Sequence, residues 1–293
     1  MACRTYNPGV RIGNWNEDLQ LEEDQTKDFI GRKARGELHI QRSQNLRDSI
    51  LNKVEVSISR DGNVHFGDVV MLMNKGDEKE PRDDAVLSLH IDAMAMHTQD
   101  EMSSSIEVSG SCNCSPCTRN IFVVTRLVSS YGAPTGECLT YGQPFYLCAV
   151  GEKGERMYLH SDKASFNKAS KKARHNAVTF VNEPSALTEF IVLHYNPQFR
   201  LESEHSPVPS NAKIVLTHAK TYRNLALEKD FKLRTPFGWE YEISCHNHIN
   251  FASKAEKDVN HFMFIMGVAG DTTYPVPPQQ TCDLKLKLKK RTV

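Results

Sequence analysis

The sequence lacks the features that would commit it to a membrane or to a secreted scaffold. No stretch of the 293 residues approaches the ~18 consecutive apolar residues of a spanning helix. The opening residues have no cationic n-region and no apolar h-region of ~7–15 residues, so no signal peptide is expected. Charge of one sign is also missing: Lys+Arg 36 against Asp+Glu 36 gives formal neutrality. A neutral chain does not carry the basic surplus of a polyanion binder, so neither nucleic acid nor a membrane surface is an expected partner. Eight Cys in a chain of this length do not form a small disulfide framework. These absences predict a soluble, cytosolic chain of one large or two ordinary domains. Catalytic signatures are absent as well: no H-E-x-x-H, no G-x-S-x-G and no G-x-x-x-x-G-K-[ST], while "GEKGER" at Gly151 has the wrong spacing. The expectation is a protein that is not an enzyme and needs no cofactor.

What is present changes character near residue 52. From Asn14 or Asn16 the pattern is helical, with an Asn cap, Glu17 and Asp18 in the first turn, and Arg32, Lys33 and Arg35 in the last. That order suits the helix dipole, and Gly36 is a natural stop. The apolar stripe is thin: Leu19, Thr26, Phe29 or Ile30, Ala34. A second helical stretch runs from Glu37 to Leu51, with Leu46 and Ile50 four apart. Two helices this polar cannot form a core of their own and must lie against something else.

Beyond them the period is that of strands. Val54, Val56 and Ile58 alternate with polar residues, and Asp61-Gly62 then reads as a hairpin turn into Val64, Phe66 and "DVVMLM". Further strand-like runs are "NIFVVTRL", "PFYLCAV", "TEFIVLHY", "AKIVLTH" and "HFMFIMG". A repeat is visible among them. "GDVVMLMN" at Gly67, "GQPFYLCA" at Gly142 and "NAKIVLTH" at Asn211 start 75 and 69 residues apart. Each is followed by a Leu-containing run ("LSLH" at Ser88, "MYLH" at Met157, "RNLA" at Arg223) and later by Phe122, Phe190 or Phe262 opening an apolar strand. Three such units, unable to bury a face singly, are expected to pack about one pseudo-threefold core. The pattern resembles the β-trefoil of MIR-type domains, which usually carry Trp where Phe stands here. The expected fold is mainly β, a β-trefoil-like (MIR-like) domain with three pseudo-repeats behind an N-terminal arm and helical segment. Its divisions are 1–52 for arm and helices, 53–270 for the β domain, and 271–293 for a tail.

Metal chemistry has one moderate candidate. Cys112, Cys114 and Cys117 in "CNCSPC" have the spacing for a shared ion, with Cys138 or Cys148 as a fourth ligand. Against it, "EMSSSIEVSGSCNCSPC" is rich in turn formers and reads as a surface loop between strands, so Cys112, Cys114 and Cys117 are expected to be exposed and dispensable. "CHNH" at Cys245–His248 crowds three potential ligands into four residues and is a weaker zinc signal. His90 and His160 fall at similar places in their repeats, as scaffold residues would. No metal ligand is assigned. The end of the sequence, "CDLKLKLKKR" at 282–291, alternates Leu284, Leu286 and Leu288 with Lys285, Lys287 and Lys289. It fits a solvated basic tail or an edge strand docked on a neighbour.

"PGVRIGNWNED" at 8–18 resembles the N-terminal signature of the cilia- and flagella-associated protein 161 family. The resemblance continues through "LHIQRS" at 38–43, "DGNVHFGDVVMLMN" at 61–74, "YGQPFYL" at 141–147 and "LESEHSPVPSNAKIVLTHAKTYRNLA" at 201–226. It implies a microtubule inner protein on the lumenal wall of axonemal doublet microtubules. The implied partners are α/β-tubulin and neighbouring inner proteins, and the implied location is the cytoskeleton of the cilium or flagellum. Tubulin's acidic tails face outward, so a lumenal binder needs no basic surplus, in keeping with the neutral charge. On this reading residues 8–18 form an anchoring arm, with Trp15 the main anchor, supported by Arg11 and by Lys285, Lys287 and Lys289 of the tail. Two other classes remain open from the residues alone: a trefoil binding module for a carbohydrate or other small ligand, and a Cys-dependent metal or redox protein.

Overall fold

Left-handed backbone at three positions governs how the strands enter the barrel. In the computed structural model, which describes residues 15–75, 84–90, 105–127, 136–150, 154–166, 168–250 and 254–268, Gly67, Gly142 and Asn211 have φ of 100°, 78° and 57°. Gly and Asn tolerate that conformation best. Each donates its N–H to a carbonyl two residues beyond a buried Phe: Gly67 to Val124, Gly142 to Val192, Asn211 to Phe264. Each is followed by a strand: β2 (Val69–Asn74), β6 (Pro144–Val150) and β10 (Ile214–His218). The Phe-bearing strands are β5 (Ile121–Thr125), β9 (Phe190–His194) and β13 (His261–Ile265). The registers correspond as well, with Phe122 opposite Val70, Phe190 opposite Phe145 and Phe262 opposite Ile214.

These strands close a barrel. β2 pairs β5, β5 pairs β6, β6 pairs β9, β9 pairs β10, β10 pairs β13, and β13 returns to β2, all antiparallel. Beside it lie three hairpins. They are β3 (Ala85–His90) with β4 (Ser105–Ser111), β7 (Arg156–Ser161) with β8 (Asn176–Val181), and β11 (Arg223–Thr235) with β12 (Gly238–Cys245). The second strands form their own triangle, because β4 pairs β8, β8 pairs β12 and β12 pairs β4. A third closure lies among the loops. Val64 N–H donates to Val208 C=O, Leu139 N–H to Val64 C=O, and Val208 N–H to Leu139 C=O, and all three side chains are buried. Phe122, Phe145, Phe180, Phe190, Phe262 and Phe264 fill the interior, Phe122 stacking on Phe180 at 5.3 Å between centroids. No helix among the described residues is long and apolar enough to cross a membrane.

Three expectations are corrected. The Asp61-Gly62 turn is present, with Gly62 at φ 81°, but it does not join a hairpin. β1 is only Ile58–Ser59 and runs parallel to β14 (Gly267–Val268) instead of pairing β2. The side chain of Asp61 binds the backbone and side-chain N–H of Asn63 and Ser59 Oγ donates to the Asn63 carbonyl, so the turn closes on itself. Val64 beyond it bonds to Val208 and Leu139 instead of to the residues before the turn. Second, "SIEVSGS" is strand β4, not loop. Its small residues are needed at a crowded crossing: a Cβ on Gly110 would come within 2.4 Å of Leu227 Cδ1 and 3.3 Å of Tyr241 Cβ. Third, Cys117 is buried, while Cys112 and Cys114 are partly buried.

The helical segment is joined to the barrel at one end. α1 (Trp15–Arg35) ends where Gly36, at φ 75°, donates to Lys33 C=O and Glu37 N–H donates to Arg32 C=O. α2 (His39–Ile50) sends Ile50 into the core at 5% exposure, and Arg119 and Thr118 N–H bind the carbonyls of Ile50 and Asn52. Among the described residues α1 has no comparable seat. Leu19, Phe29 and Ile30 are 59%, 53% and 58% exposed, so the barrel does not supply the cover that their apolar character requires.

Candidate functional site

Of the expected anchor residues, Arg11, Lys285, Lys287 and Lys289 lie outside the described residues, as does the arm before Trp15. Trp15 begins α1, but its side chain is outside the description too. What the structure presents is the uncovered helix that the sequence predicts and, beside it, three polar clusters that the linear sequence does not reveal.

The first cluster centres on Glu228 of β11, which is buried. Its Oε1 takes a hydrogen bond from Ser244 Oγ at 2.6 Å and lies 2.7 Å from His175 Nδ1 and 3.1 Å from His248 Nε2. Burial alone would raise this carboxyl, but bonds from His248, Ser244 and His175 outweigh it and hold the pKa at about 2. His246 stacks face to face on His175 at 3.8 Å. "CHNH" therefore does not converge as a ligand set. Cys245 turns into the core, where burial pushes its thiol up to about 12, while His248 turns toward Glu228 and His246 onto the His175 ring. The three shortest contacts of the cluster run through one carboxylate oxygen, Glu228 Oε1, which gives it the character of a hydrogen-bonded clamp between β11, β12 and the loop before β8.

The second cluster is a buried ion pair. Arg119 Nη1 and Nη2 lie 2.9 Å from Glu240 Oε1, and Nη2 also lies 2.9 Å from Oε2. Ser109 Oγ donates to Oε2 at 2.7 Å, Arg119 Nε to Leu89 C=O at 3.2 Å, and the guanidinium sits 4.0 Å over the Phe237 ring. Burial raises the Glu240 carboxyl, yet the Arg119 hydrogen bonds and charge prevail and lower it. With each charge matched and hydrogen-bonded, this is a structural lock.

The third cluster sits at the loop triangle. Asp61 follows β1, His65 precedes β2, and Cys138 precedes β6. His65 Nε2 lies 3.2 Å from Cys138 Sγ and 3.3 Å from Asp61 Oδ2, and Sγ lies 3.9 Å from the same oxygen. On the far side of the ring, His65 Nδ1 is 3.6 Å from Asp68 Oδ2. A bridge between His65 and Cys138 backbones fixes their spacing. Burial first, then the neighbouring Asp61 charge, raises the Cys138 thiol. The "CNCSPC" reading is not supported in the same way. Among the described residues Cys112, Cys114 and Cys117 form no group with metal-ligand spacing. Neither proposed fourth ligand joins them: Cys138 faces His65, and Cys148 contacts Thr125 Oγ1 at 3.3 Å.

Comparison with known proteins adds the context. The model of the cilia- and flagella-associated protein 161-like domain matches residues 42–267. The chain is 41% identical over 268 residues to cilia- and flagella-associated protein 161 of Danio rerio, covering 89% of this chain and 88% of that one. It is 37% identical over 273 residues to the Bos taurus protein of the same name, covering 91% and 84%. Among solved structures, the SDF2-like protein from Arabidopsis thaliana aligns with a TM-score of 0.49 and 14% identity, over 69% of this chain and 94% of that one.

Proposed function

Because the chain belongs to the cilia- and flagella-associated protein 161 family, we propose that it is a non-catalytic structural component of the axoneme. In this reading it is a microtubule inner protein on the lumenal wall of the doublet, in contact with α/β-tubulin and neighbouring inner proteins. The observation that supports it best is the exposed α1. A 21-residue helix carries Leu19, Phe29 and Ile30 outward, and covering their remaining exposed apolar surface is favourable by a part of the about 1.5–3 kcal/mol that complete burial of such a side chain brings. Its ion pairs, such as Lys27 with Glu23 at 3.6 Å, are exposed and contribute little to holding it. The helix thus gains little from standing free and much from being covered. In the same reading the arm at 8–18, with Arg11 and Trp15, is a further anchor, and the tail with Lys285, Lys287 and Lys289 is a second attachment.

The body is proposed to be a β-trefoil of the MIR type, spanning 53–270 between the 1–52 and 271–293 appendages. Support comes from the matching φ, hydrogen bonds and registers at Gly67, Gly142 and Asn211, together with the six-strand barrel closure and the two triangular closures beside it. The test is retention in salt-washed axonemes, compared with circular dichroism and thermal melts of the same variants. Deleting residues 1–15, Trp15→Ala, or the pair Phe29→Glu and Ile30→Glu should leave the barrel folded and weaken retention. Removing a hot-spot Trp costs ~2 kcal/mol or more, roughly thirtyfold in affinity. Unfolding by Trp15→Ala would make that residue core. Unchanged retention in all three variants would sink the anchoring role.

A further inference from the structure

We propose that Asp61, His65 and Cys138 form a binding site for a zinc-class divalent metal ion, with solvent completing a tetrahedron. Zinc binds Cys sulfur at ~2.3 Å, His nitrogen at ~2.0–2.1 Å and carboxylate oxygen at ~2.0–2.2 Å. A tetrahedron with those bonds has N–O, N–S and S–O edges of roughly 3.4, 3.6 and 3.6 Å. The corresponding edges in the structure are 3.3, 3.2 and 3.9 Å, so the three atoms already outline one face of the polyhedron. The Glu228 cluster fits less well, because its 2.7 Å contact from His175 Nδ1 to Oε1 is a direct hydrogen bond, too short for two ligands of one ion.

Three further features favour an ion at this place. The His65–Cys138 backbone bridge and the Val64–Leu139–Val208 triangle fix two of the ligands before any metal arrives. Asp68 Oδ2 accepts the His65 backbone N–H at 2.8 Å and lies 3.6 Å from Nδ1, which holds a carboxylate on the side of the ring from which such groups orient a ligating imidazole. The side chains of Asp61 and His65 are partly exposed, which leaves a path for the ion and room for water. Binding replaces the thiol proton of Cys138 with the metal and releases that proton to solvent. No change of oxidation state is involved.

The test is titration of the reduced, full-length protein with Co²⁺, followed by displacement with Zn²⁺. A stoichiometric thiolate-to-cobalt charge-transfer band is expected, lost on adding zinc. Cys138→Ser should abolish the band, whereas a Cys112→Ser, Cys114→Ser, Cys117→Ser triple variant should keep it. Asp68→Asn should keep the band with about 10–100-fold weaker affinity. Should Cys138→Ser fail to fold, protection of Cys138 from alkylation by zinc, read by mass spectrometry on the wild-type chain, decides the matter. Absence of the band, its survival in folded Cys138→Ser, or alkylation of Cys138 unaffected by zinc would each overturn the proposal.

Discussion

His218 shows how a buried titratable group makes stability depend on pH. Its Nδ1 accepts from Thr221 N–H at 3.3 Å and lies 2.8 Å from Thr221 Oγ1, and Nε2 lies 3.0 Å from the Leu187 carbonyl. That arrangement suits a neutral ring protonated on Nε2. Burial lowers its pKa below 6.5, only partly opposed by the Leu187 carbonyl, and burial also lowers His160, His246 and His261. The unfolded chain takes up these protons near 6.5 and the folded chain does not. Their contribution to stability is therefore present above that pH and lost as the pH falls through the depressed values. Glu228 adds a second, more acidic window, between its ordinary 4.5 and about 2. Urea denaturation should accordingly be nearly flat above about pH 7 and weaken steadily below 6.5. His218→Gln should be less stable at neutrality yet show a shallower slope between about pH 6.5 and 5. An unchanged slope would mean that His218 does not carry the effect.

The two helices differ in what they contribute to the folded state. Removing residues 15–35 should shift the melting temperature by only a few degrees, since exposed residues usually matter by under ~0.5 kcal/mol each. Ile50→Ala should cost about 2–5 kcal/mol, because it empties a core position. Thermal melts of the two variants would separate a free helix from a docked one, and a large loss on deleting α1 would show that it is seated. The sequence was informative about these helices because capping, the charge gradient and Gly36 act locally. The barrel strands β2, β5, β6, β9, β10 and β13 were legible for the same reason, each being a short apolar run behind a turn residue. β4, β8 and β12 were not. Gly110 in β4 is small because Leu227 and Tyr241 press on it, and Glu240 and Glu242 of β12 are buried carboxylates. Their partners, Arg119 and the N–H groups of Lys172 and Ala173, lie far off in sequence, so the apolar alternation that marks a half-buried strand is broken there. Clusters such as Asp61–His65–Cys138 escape sequence reading altogether, because residues 77 apart become neighbours only once the loops close.

At the scale of the whole molecule, closure of the barrel depends on its last strands. β13 joins β10 to β2, with Ile214 opposite Phe262 and Met73 opposite Met263. A chain ending before residue 261 should therefore fail to give a cooperative melt, while one lacking residues 1–35 should still give one. A cooperative transition in the shorter C-terminal truncation would show that the remaining strands suffice. The parallel pair β1–β14, with Ile58 opposite Gly267, has a consequence for the order of events during synthesis. Nearly the whole body must leave the ribosome before that ladder can form. Contacts of such long sequence separation pay their loop-closure entropy late and make folding slow. Until then β2 and β10 have unpaired edges open to other chains, so nascent copies depend on a period of protection that the finished, edgeless barrel no longer needs.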